Sequence, residues 1–205
     1  MALDLGCGAG DNARILTDRG WQVHGITFNL VESKSASRHC DEMFLADLDG
    51  GLPESVKRAG RKYTVVILSH VLEHLINPVR LLLEIREVLV SGGFLLIALP
   101  NVVAYPNRLR IMGGGFDYEP TGIMDETHVH FYTFKSGAKL LRQSNYEIVS
   151  SKAEGAFPLW KLRRLLPAGW VKMLNRGSCR LLPGVFGFQL CPASAGNGKG
   201  AQPLR

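Results

Sequence analysis

The chain has 205 residues, of which 46% are hydrophobic and 20% charged, as is ordinary for a globular domain with its own core. It holds no run of about eighteen apolar residues, so the sequence predicts no membrane-spanning helix. We expect no signal peptide, because the first residues lack a basic segment and a cleavage site. The four cysteines have neither the spacing of a metal-binding pair nor that of a redox pair. Four scattered cysteines fit a reducing compartment, so we expect a cytoplasmic location.

Charge is distributed unevenly along the chain. All eighteen acidic residues and sixteen of the 24 Lys and Arg lie at or before Glu154, which gives this part a net charge of −2. The remaining eight basic residues follow Glu154 and give the C-terminal quarter a charge of +8. The basic character therefore belongs to one segment of the chain.

Strand and helix signals alternate in the first third of the sequence. Strands are predicted at residues 1–6, 21–28, 43–47 and 63–69, and helices at 11–20 and 29–39. The strand at 63–69 is continuous and rich in β-branched residues, which is typical of a strand buried on both faces. These signals predict parallel strands joined by helices.

The same alternation continues after residue 70. Asn77 is a predicted N-cap followed by Pro78 at the first helical position, and the helix is expected to end at the Ser-Gly-Gly of 91–93. Thr133 is predicted to cap a second helix. The remaining strands are predicted at 94–100, 146–152 and 185–192.

Together these elements predict an α/β fold, with a doubly wound, mostly parallel sheet of seven strands whose first strand lies at the very N-terminus. We expect a single domain over residues 1–192, with a basic helical insertion at 157–184 and a disordered tail at 193–205. Ligands of such sheets bind outside the carboxyl ends of the strands. The turn after the first strand is therefore the expected ligand site.

That turn is rich in glycine. Gly6, Gly8 and Gly10 form a G-x-G-x-G pattern, whereas the dinucleotide fingerprint G-x-G-x-x-G needs glycine at position 11. Asp11 stands there, and its charge at a helix start would repel a pyrophosphate. The pattern favours a ligand with a positive charge or no phosphate, and Asp4 on the strand could meet an ammonium group.

With its flanks, "LDLGCGAG" resembles the first motif of the class I S-adenosylmethionine-dependent methyltransferases. "FLADLDGGLP" is similar to the acidic position after the family's third strand. The segment from "VVILSHVLEHL" to "ALPN" resembles its fourth strand, helix and fifth strand, and "GGGFDYEPTGIMDETHVHFYT" resembles methyltransferase domain family 23. These segments cover residues 1–151 in the family's order, and the resemblance implies a Rossmann-like fold.

The resemblance implies that the chain binds S-adenosyl-L-methionine as its cofactor. The glycine turn would contact the methionine and ribose, the acid after the third strand would bind the adenine amine, and the end of the fourth strand would line the reactive end. The cofactor-binding residues implied in this way are Asp4, Gly6, Gly8, Gly10, Thr27, Asp47, Leu48, Ser69 and His70.

Two features depart from the family pattern. The second strand of the family usually ends in an acidic residue that holds both ribose hydroxyls, and Thr27 stands there. A hydroxyl makes one such bond and not a charge-assisted pair, so weaker binding is expected. Family members also usually carry a helical segment before the first strand, and we expect that this start is truncated or misassigned.

Four histidines are candidates for chemistry at the acceptor. An oxygen nucleophile can need a base near neutral pH, and histidine is the usual one. We predict His74 and His128 as catalytic residues, with packing or loop capping as the alternative. A metal site made of His70, Glu73, His74 and His128, as in RNA and quinone methyltransferases that resemble this loop, is a further hypothesis, but no metal ligand is assigned from the sequence.

The predicted function is methyl transfer from S-adenosylmethionine to a small-molecule or amphiphilic acceptor that resembles a quinone, a sugar or a lipid. One alternative is a truncated or degenerate cofactor-binding module without catalysis. A less favoured one is a nicotinamide-dependent oxidoreductase, which the residues at positions 11 and 27 oppose.

The segment 157–184 contains six basic residues and no acid, interleaved with two tryptophans and several leucines. This composition suits a helix that lies in a membrane interface, and we expect peripheral contact with an anionic membrane. Nucleic acid is not expected, because no RNA-reading motif accompanies the charges. An ordinary helical cover with solvated charges is the alternative.

Overall fold

Five parallel strands form the framework of the protein. In the computed structural model, which describes residues 1–155 and 166–195, strand β1 (Ala2–Leu5) lies between β2 (Val23–Thr27) and β4 (Tyr63–Ser69). Strand β3 (Glu42–Leu45) extends the sheet beside β2, and β5 (Leu89–Pro100) extends it beside β4. All four pairings are parallel, so the five carboxyl ends meet at one edge of the sheet.

Two further strands pair in the antiparallel direction. Strand β7 (Gly187–Ala195) lies between β5 and β6 (Glu147–Gly155), and the strand order is β3-β2-β1-β4-β5-β7-β6. The order reverses at β1 and β4, because the chain fills the sheet outward from β1 to β3 and then returns to β4. The predicted mostly parallel, Rossmann-like sheet is confirmed.

Eight α-helices and one 3₁₀ turn are assigned in the described parts of the chain. The helices are α1 (Asp11–Thr17), α2 (Leu30–Ala36), α3 (Glu54–Arg58), α4 (Pro78–Val88), α5 (Tyr105–Met112), α6 (Phe134–Gln143), α7 (Ala168–Leu181) and α8 (Pro183–Phe186), and the 3₁₀ turn is Leu48–Gly50. None of these helices combines the length and apolar character that a membrane crossing needs.

Local signals explain where two of the helices begin. The Asn77 side chain accepts from the Arg80 amide with Pro78 in the first turn, and Thr133 forms a reciprocal capping box with Ser136. Both predicted caps are confirmed. The core is built from both faces of β1, β4 and β5, with side chains such as Leu3 and Leu68 fully buried.

Two boundary predictions were wrong. Helix α4 ends at Val88, and β5 begins at Leu89, so the predicted Ser-Gly-Gly terminator lies inside a strand of twelve residues. Gly92 has a positive φ of 76° there, and the pairing with β4 shifts register nearby, which accommodates a bulge that the apolar pattern did not reveal.

The predicted tail and insertion are described only in part. Residues 193–195, expected to be disordered, belong to β7, because the sheet pairs them with both β5 and β6. The rest of the tail, 196–205, lies outside the described residues, as do residues 157–165 of the predicted insertion. The remainder of the insertion, from residue 166, forms α7 and the first two residues of α8.

Candidate functional site

A cavity of about 550 Å³ opens at the carboxyl ends of β1, β2 and β4. It therefore lies at the point where the strand order reverses, as expected for a doubly wound sheet. Seven of the predicted site residues line it: Gly6, Gly8, Thr27, Asp47, Leu48, His70 and His74. Its other lining residues are Phe28, Glu32, Ala46, Asp49, Val71, Leu75 and Thr127.

Four predicted site residues lie outside this lining among the described residues, namely Asp4, Gly10, Ser69 and His128. Ser69 is half-buried and pairs with Ala98 in the sheet. Gly10 serves helix packing, because a Cβ there would lie 2.9 Å from the Cα of Ala36 on α2. The glycine pattern therefore contains a packing position as well as ligand-facing ones.

Gly8 is the position where the turn faces the cavity. Its φ is +52°, and a Cβ built on it meets nothing within 4 Å among the described residues. The positive φ strains any residue with a side chain, and a large side chain would occupy the space that a ligand needs. The backbone conformation favours glycine at this position, and the open space beside it belongs to the cavity.

Asp4 lies on β1 behind the glycine turn and is fully buried. Neither of its carboxylate oxygens has a hydrogen-bond partner among the described residues. Burial raises the pKa of Asp4 to about 7, and the neighbouring Asn12 side chain, which lowers the pKa, offsets this only in part. A buried carboxyl whose burial is only partly compensated by Asn12 fits a site whose ligand brings a positive charge or donors close to the turn.

Glu32 is the site residue that the sequence interpretation missed. The Thr27 hydroxyl donates to Glu32 Oε2 at 2.9 Å and accepts from the Asn29 amide at 3.2 Å. Asn29 caps α2 and thereby sets the first turn that carries Glu32 to the cavity. The carboxylate absent from the end of β2 is thus supplied five residues later, from the next helix.

Asp47 and Asp49 shape the opposite wall. Asp47 Oδ1 accepts from the Asp49 amide at 2.9 Å and so caps the 3₁₀ turn, while Leu48 between them is buried and lines the cavity. Asp49 Oδ1 accepts from the Ile76 amide at 2.8 Å. The loop after β3 is in this way joined to the loop after β4.

The electrostatic character of the cavity is acidic. Three carboxylates, those of Glu32, Asp47 and Asp49, line it, and the described lining contains neither Lys nor Arg. Such a cavity attracts a cationic ligand and repels a pyrophosphate. The exposed ring of Phe28, with 78% of its surface accessible, adds an apolar face at the same wall.

Hydrogen bonds fix the tautomers of His74 and His128. The Thr127 hydroxyl donates its only hydrogen to Asp125 Oδ1 at 2.6 Å, so His74 Nδ1, 3.0 Å from that hydroxyl, must be the donor between them. His128 Nδ1 lies 3.2 Å from the Ile123 carbonyl, which can only accept. In the neutral form, each ring therefore carries its proton on Nδ1 and leaves Nε2 able to accept.

Glu73 completes a cluster with these two histidines. One ligand atom from each of Glu73, His74 and His128 lies within 4.8 Å of the others. Glu73 is fully buried, and its Oε2 has no hydrogen-bond partner within the described parts of the chain. His70, the fourth residue of the metal hypothesis, instead approaches Glu73 Oε1 through its Nδ1 at 3.1 Å.

Long-range backbone bonds bring this cluster together. The amides of Val129 and His130 donate to the Glu73 carbonyl at 2.8 and 3.0 Å, which places the loop of residues 122–130 over the loop after β4. His130 Nε2 lies 3.3 Å from the Ile76 carbonyl and holds the same loop. His130 thus joins this loop to the loop after β4 through both its backbone and its side chain. The rings of His74 and His128 meet with centroids 4.8 Å apart.

Comparison with known proteins identifies the family. The family model described as a methyltransferase domain matches residues 2–151. The chain belongs to the methyltransferase domain family. It is 30% identical over 113 residues to a ubiquinone biosynthesis O-methyltransferase of Maricaulis maris, a match that covers 54% of this chain and 44% of that protein. The corresponding enzyme of Dinoroseobacter shibae is 28% identical over 166 residues, covering 78% and 66%.

The fold agrees with this family assignment. A SAM-dependent methyltransferase from Archaeoglobus fulgidus superposes with a TM-score of 0.64 at 17% identity, over 95% of this chain and 85% of that one. The recognition of a class I S-adenosylmethionine-dependent methyltransferase is confirmed. The chain spans about half the length of the curated relatives it matches, with 44%, 40% and 46% of three of them covered.

Proposed function

We propose that this protein binds S-adenosylmethionine in the cavity and transfers its methyl group to a phenolic oxygen of a quinone-like acceptor. The observation that carries the proposal is the juxtaposition of an acidic cavity at the strand ends with two histidines that are each held by a hydrogen bond at Nδ1. Two relatives named as ubiquinone biosynthesis O-methyltransferases support the acceptor class.

The residues present fit the cofactor. Glu32, which accepts from the Thr27 hydroxyl and lines the cavity, would accept from the ribose hydroxyls, and Asp47 would accept from the adenine amine beside Leu48. The unpartnered carboxyl of Asp4 lies behind the turn where the ammonium group of the cofactor would bind. When bound, S-adenosylmethionine supplies an electrophilic methyl group on a sulfonium.

The acceptor end would be served by His74. Its Nε2 would take the hydroxyl proton while the acceptor oxygen forms its bond to the methyl carbon and the carbon–sulfur bond breaks. Thr127 and Asp125 hold the ring in the tautomer that this role needs, and His128 packs against it. The remaining contribution of the chain is positioning, which alone accounts for much of the acceleration of a displacement reaction.

A divalent cation is the second role that the cluster fits. Two imidazole nitrogens and a carboxylate are adequate ligands, and the hydrogen bonds at both Nδ1 atoms are the partners that orient metal-bound histidines. Glu73, His74 and His128 would hold the ion, with His70 orienting Glu73. Such an ion would lower the pKa of a phenol bound to it.

The test is methyl transfer to a prenylated catechol, followed by mass spectrometry of the product with labelled cofactor. We expect a mass gain of one methyl group on the catechol and none on the same ring without hydroxyls. Tight binding of S-adenosylhomocysteine without transfer to quinone-like, sugar or lipid acceptors would instead support a cofactor-binding module without catalysis.

Metal analysis, combined with the methyl-transfer assay, separates the two proposed roles of the histidines, which are general base and metal ligand. Elemental analysis of the purified protein, before and after treatment with a chelator, measures bound metal. If one equivalent is bound and Glu73→Gln abolishes it together with activity, the cluster is a metal site. If metal is absent and activity survives the chelator, His74 acts as the base.

A further inference from the structure

We propose that the exposed face of α7 is a surface that binds an anionic lipid bilayer. Helix α7 runs from Ala168 to Leu181 and packs with Ser178 and Cys179 buried. The face on the other side combines large apolar side chains with a basic stripe. This inference concerns adsorption alone and needs neither cofactor nor turnover.

The apolar part of this face is unusually exposed. The accessible fractions are 59% for Trp170, 58% for Met173 and 81% for Leu181. Leu182, directly after the helix, is 53% exposed. Side chains of this size gain free energy by leaving water, and tryptophan in particular favours the boundary between lipid headgroups and acyl chains.

The basic part lies beside the apolar part. Lys172, Arg176 and Arg180 are all exposed and follow one another at intervals of four residues. At 3.6 residues per turn these three fall within about 80° of the helix surface, and Trp170, Met173 and Leu181 fall within the neighbouring ~80°. The sequence contains no Asp or Glu after Glu154. Glu154 itself lines one cavity with Arg176 and Arg180, and it carries one charge against the three of the stripe.

Buried contacts anchor the segment that follows α7, in α8 and at the start of β7, at the edge of the sheet that carries the cavity. The side chain of Asn101, which follows β5 and is fully buried, donates to the carbonyls of Gly184 and Gly187 at 3.2 and 2.6 Å. Because the carboxyl ends of β1, β2, β4 and β5 share this edge, adsorption through α7 would bring the cavity edge close to a membrane.

Charge and apolar surface together favour a bilayer over other anionic partners. A nucleic acid would use the basic stripe, but it would leave the aliphatic side chains of Met173 and Leu181 in water. An anionic bilayer takes up both, because its headgroups attract the stripe and its acyl boundary accepts the apolar residues. The partner is therefore a lipid surface that contains anionic headgroups.

The experiment is flotation of the full chain with vesicles of phosphatidylcholine alone and of phosphatidylcholine mixed with phosphatidylglycerol. The decisive variant carries Lys172→Glu, Arg176→Glu and Arg180→Glu. Since each basic residue near such a surface is worth about fivefold in partitioning, we expect a loss of about a hundredfold or more. For the parent protein, we expect weaker binding to vesicles of phosphatidylcholine alone than to the mixed vesicles, and a marked loss of binding to the mixed vesicles at high salt.

Helix α6 offers a matched control. Lys135, Lys139 and Arg142 are exposed on one face of this helix, and no large hydrophobic residue of α6 is strongly exposed. The variant Lys135→Glu, Lys139→Glu, Arg142→Glu changes the net charge equally and should reduce binding by about threefold at most. The variant Trp170→Ala, Met173→Ala tests the apolar part and should lower binding at low and high salt alike.

The remaining outcomes would overturn the proposal. Equal losses in the α6 and α7 charge variants would make the binding a response to net charge alone. Absence of binding to the phosphatidylglycerol vesicles would contradict the proposal. If the protein instead bound single-stranded RNA, and the α7 charge variant abolished that binding, the stripe would be a nucleic-acid surface. Circular dichroism of each variant shows that a lost interaction does not reflect unfolding.

Discussion

The cavity floor and the histidine cluster are built in different ways, although they adjoin each other. The floor consists of strand ends and the first turns that follow them, with Thr27, Glu32 and Gly8 held by local hydrogen bonds and backbone conformation. The cluster is assembled from two loops that lie more than fifty residues apart, joined by the bonds from Val129 and His130 to the Glu73 carbonyl.

This difference separates binding from chemistry. Residues on the sheet edge keep their positions through the sheet itself, so a ligand that binds there meets a preformed surface. The cluster depends on loop packing and on a chain of side-chain bonds from Asp125 through Thr127 to His74. Changes in the cluster should therefore alter turnover far more than cofactor affinity, and changes in the floor should do the reverse.

The largest effect is expected for His74→Ala. Loss of a general base or a metal ligand should lower kcat by about a hundredfold to ten-thousandfold, while the Kd for S-adenosylhomocysteine changes by no more than about threefold. His128→Ala should lower kcat in the same direction. Turnover of a prenylated catechol measures kcat, and calorimetry measures the Kd for S-adenosylhomocysteine. His39→Ala is the control. Unchanged turnover in both His74→Ala and His128→Ala would give these histidines a structural role.

Gly8→Val should abolish measurable binding of S-adenosylhomocysteine. The valine side chain would occupy the cavity and strain a backbone held at positive φ. Gly60→Val is the matched control, because Gly60 also has a positive φ of 63° and open space around it, but is not among the residues that line the cavity. Similar losses of binding in both variants would show that strain, not the site, is responsible.

Glu32→Gln should weaken binding of S-adenosylhomocysteine by about tenfold to a hundredfold, the range expected when hydrogen bonds to a charged acceptor are lost. Thr27→Val should act in the same direction, because it removes the hydroxyl that holds Glu32. Glu87→Gln, an exposed glutamate outside the cavity lining, is the control for net charge. Unchanged calorimetric affinity in Glu32→Gln would remove this residue from the ribose site.

The effect of Asp4→Asn should be visible chiefly as a change in the pH dependence of stability. The pKa of Asp4 is raised from 3.8 to about 7 in the folded protein, so the folded state binds more protons between these values. The free energy of unfolding should thus fall as pH rises through this window, by at most about 1.4 kcal/mol per pH unit from this group.

In Asp4→Asn that contribution to the fall should disappear, while the exposed carboxyl variant Asp18→Asn should keep it. Urea unfolding at several pH values measures the slope. Identical slopes in Asp4→Asn and the parent protein would contradict the assignment of a neutral buried carboxyl at low pH.

The parallel strands, the glycine turn and the caps at Asn77 and Thr133 could be predicted because each depends on residues that are neighbours in the sequence. Glu32 was missed because the prediction looked for an acid on the strand, whereas the Asn29 cap carries it on the following helix turn. The roles of Gly10 in packing on Ala36 and of His70 beside Glu73 depend on contacts that no local pattern encodes. The same holds for the meeting of His74 with His128.

The most direct test of the account is calorimetric titration of the full chain with S-adenosylhomocysteine and with NAD. The acidic cavity and the buried carboxyl of Asp4 predict binding of one S-adenosylhomocysteine per chain, lost in Gly8→Val and retained in His74→Ala, with no detectable binding of NAD. Binding of NAD in preference to S-adenosylhomocysteine, or failure of the folded chain to bind S-adenosylhomocysteine at all, would contradict the account.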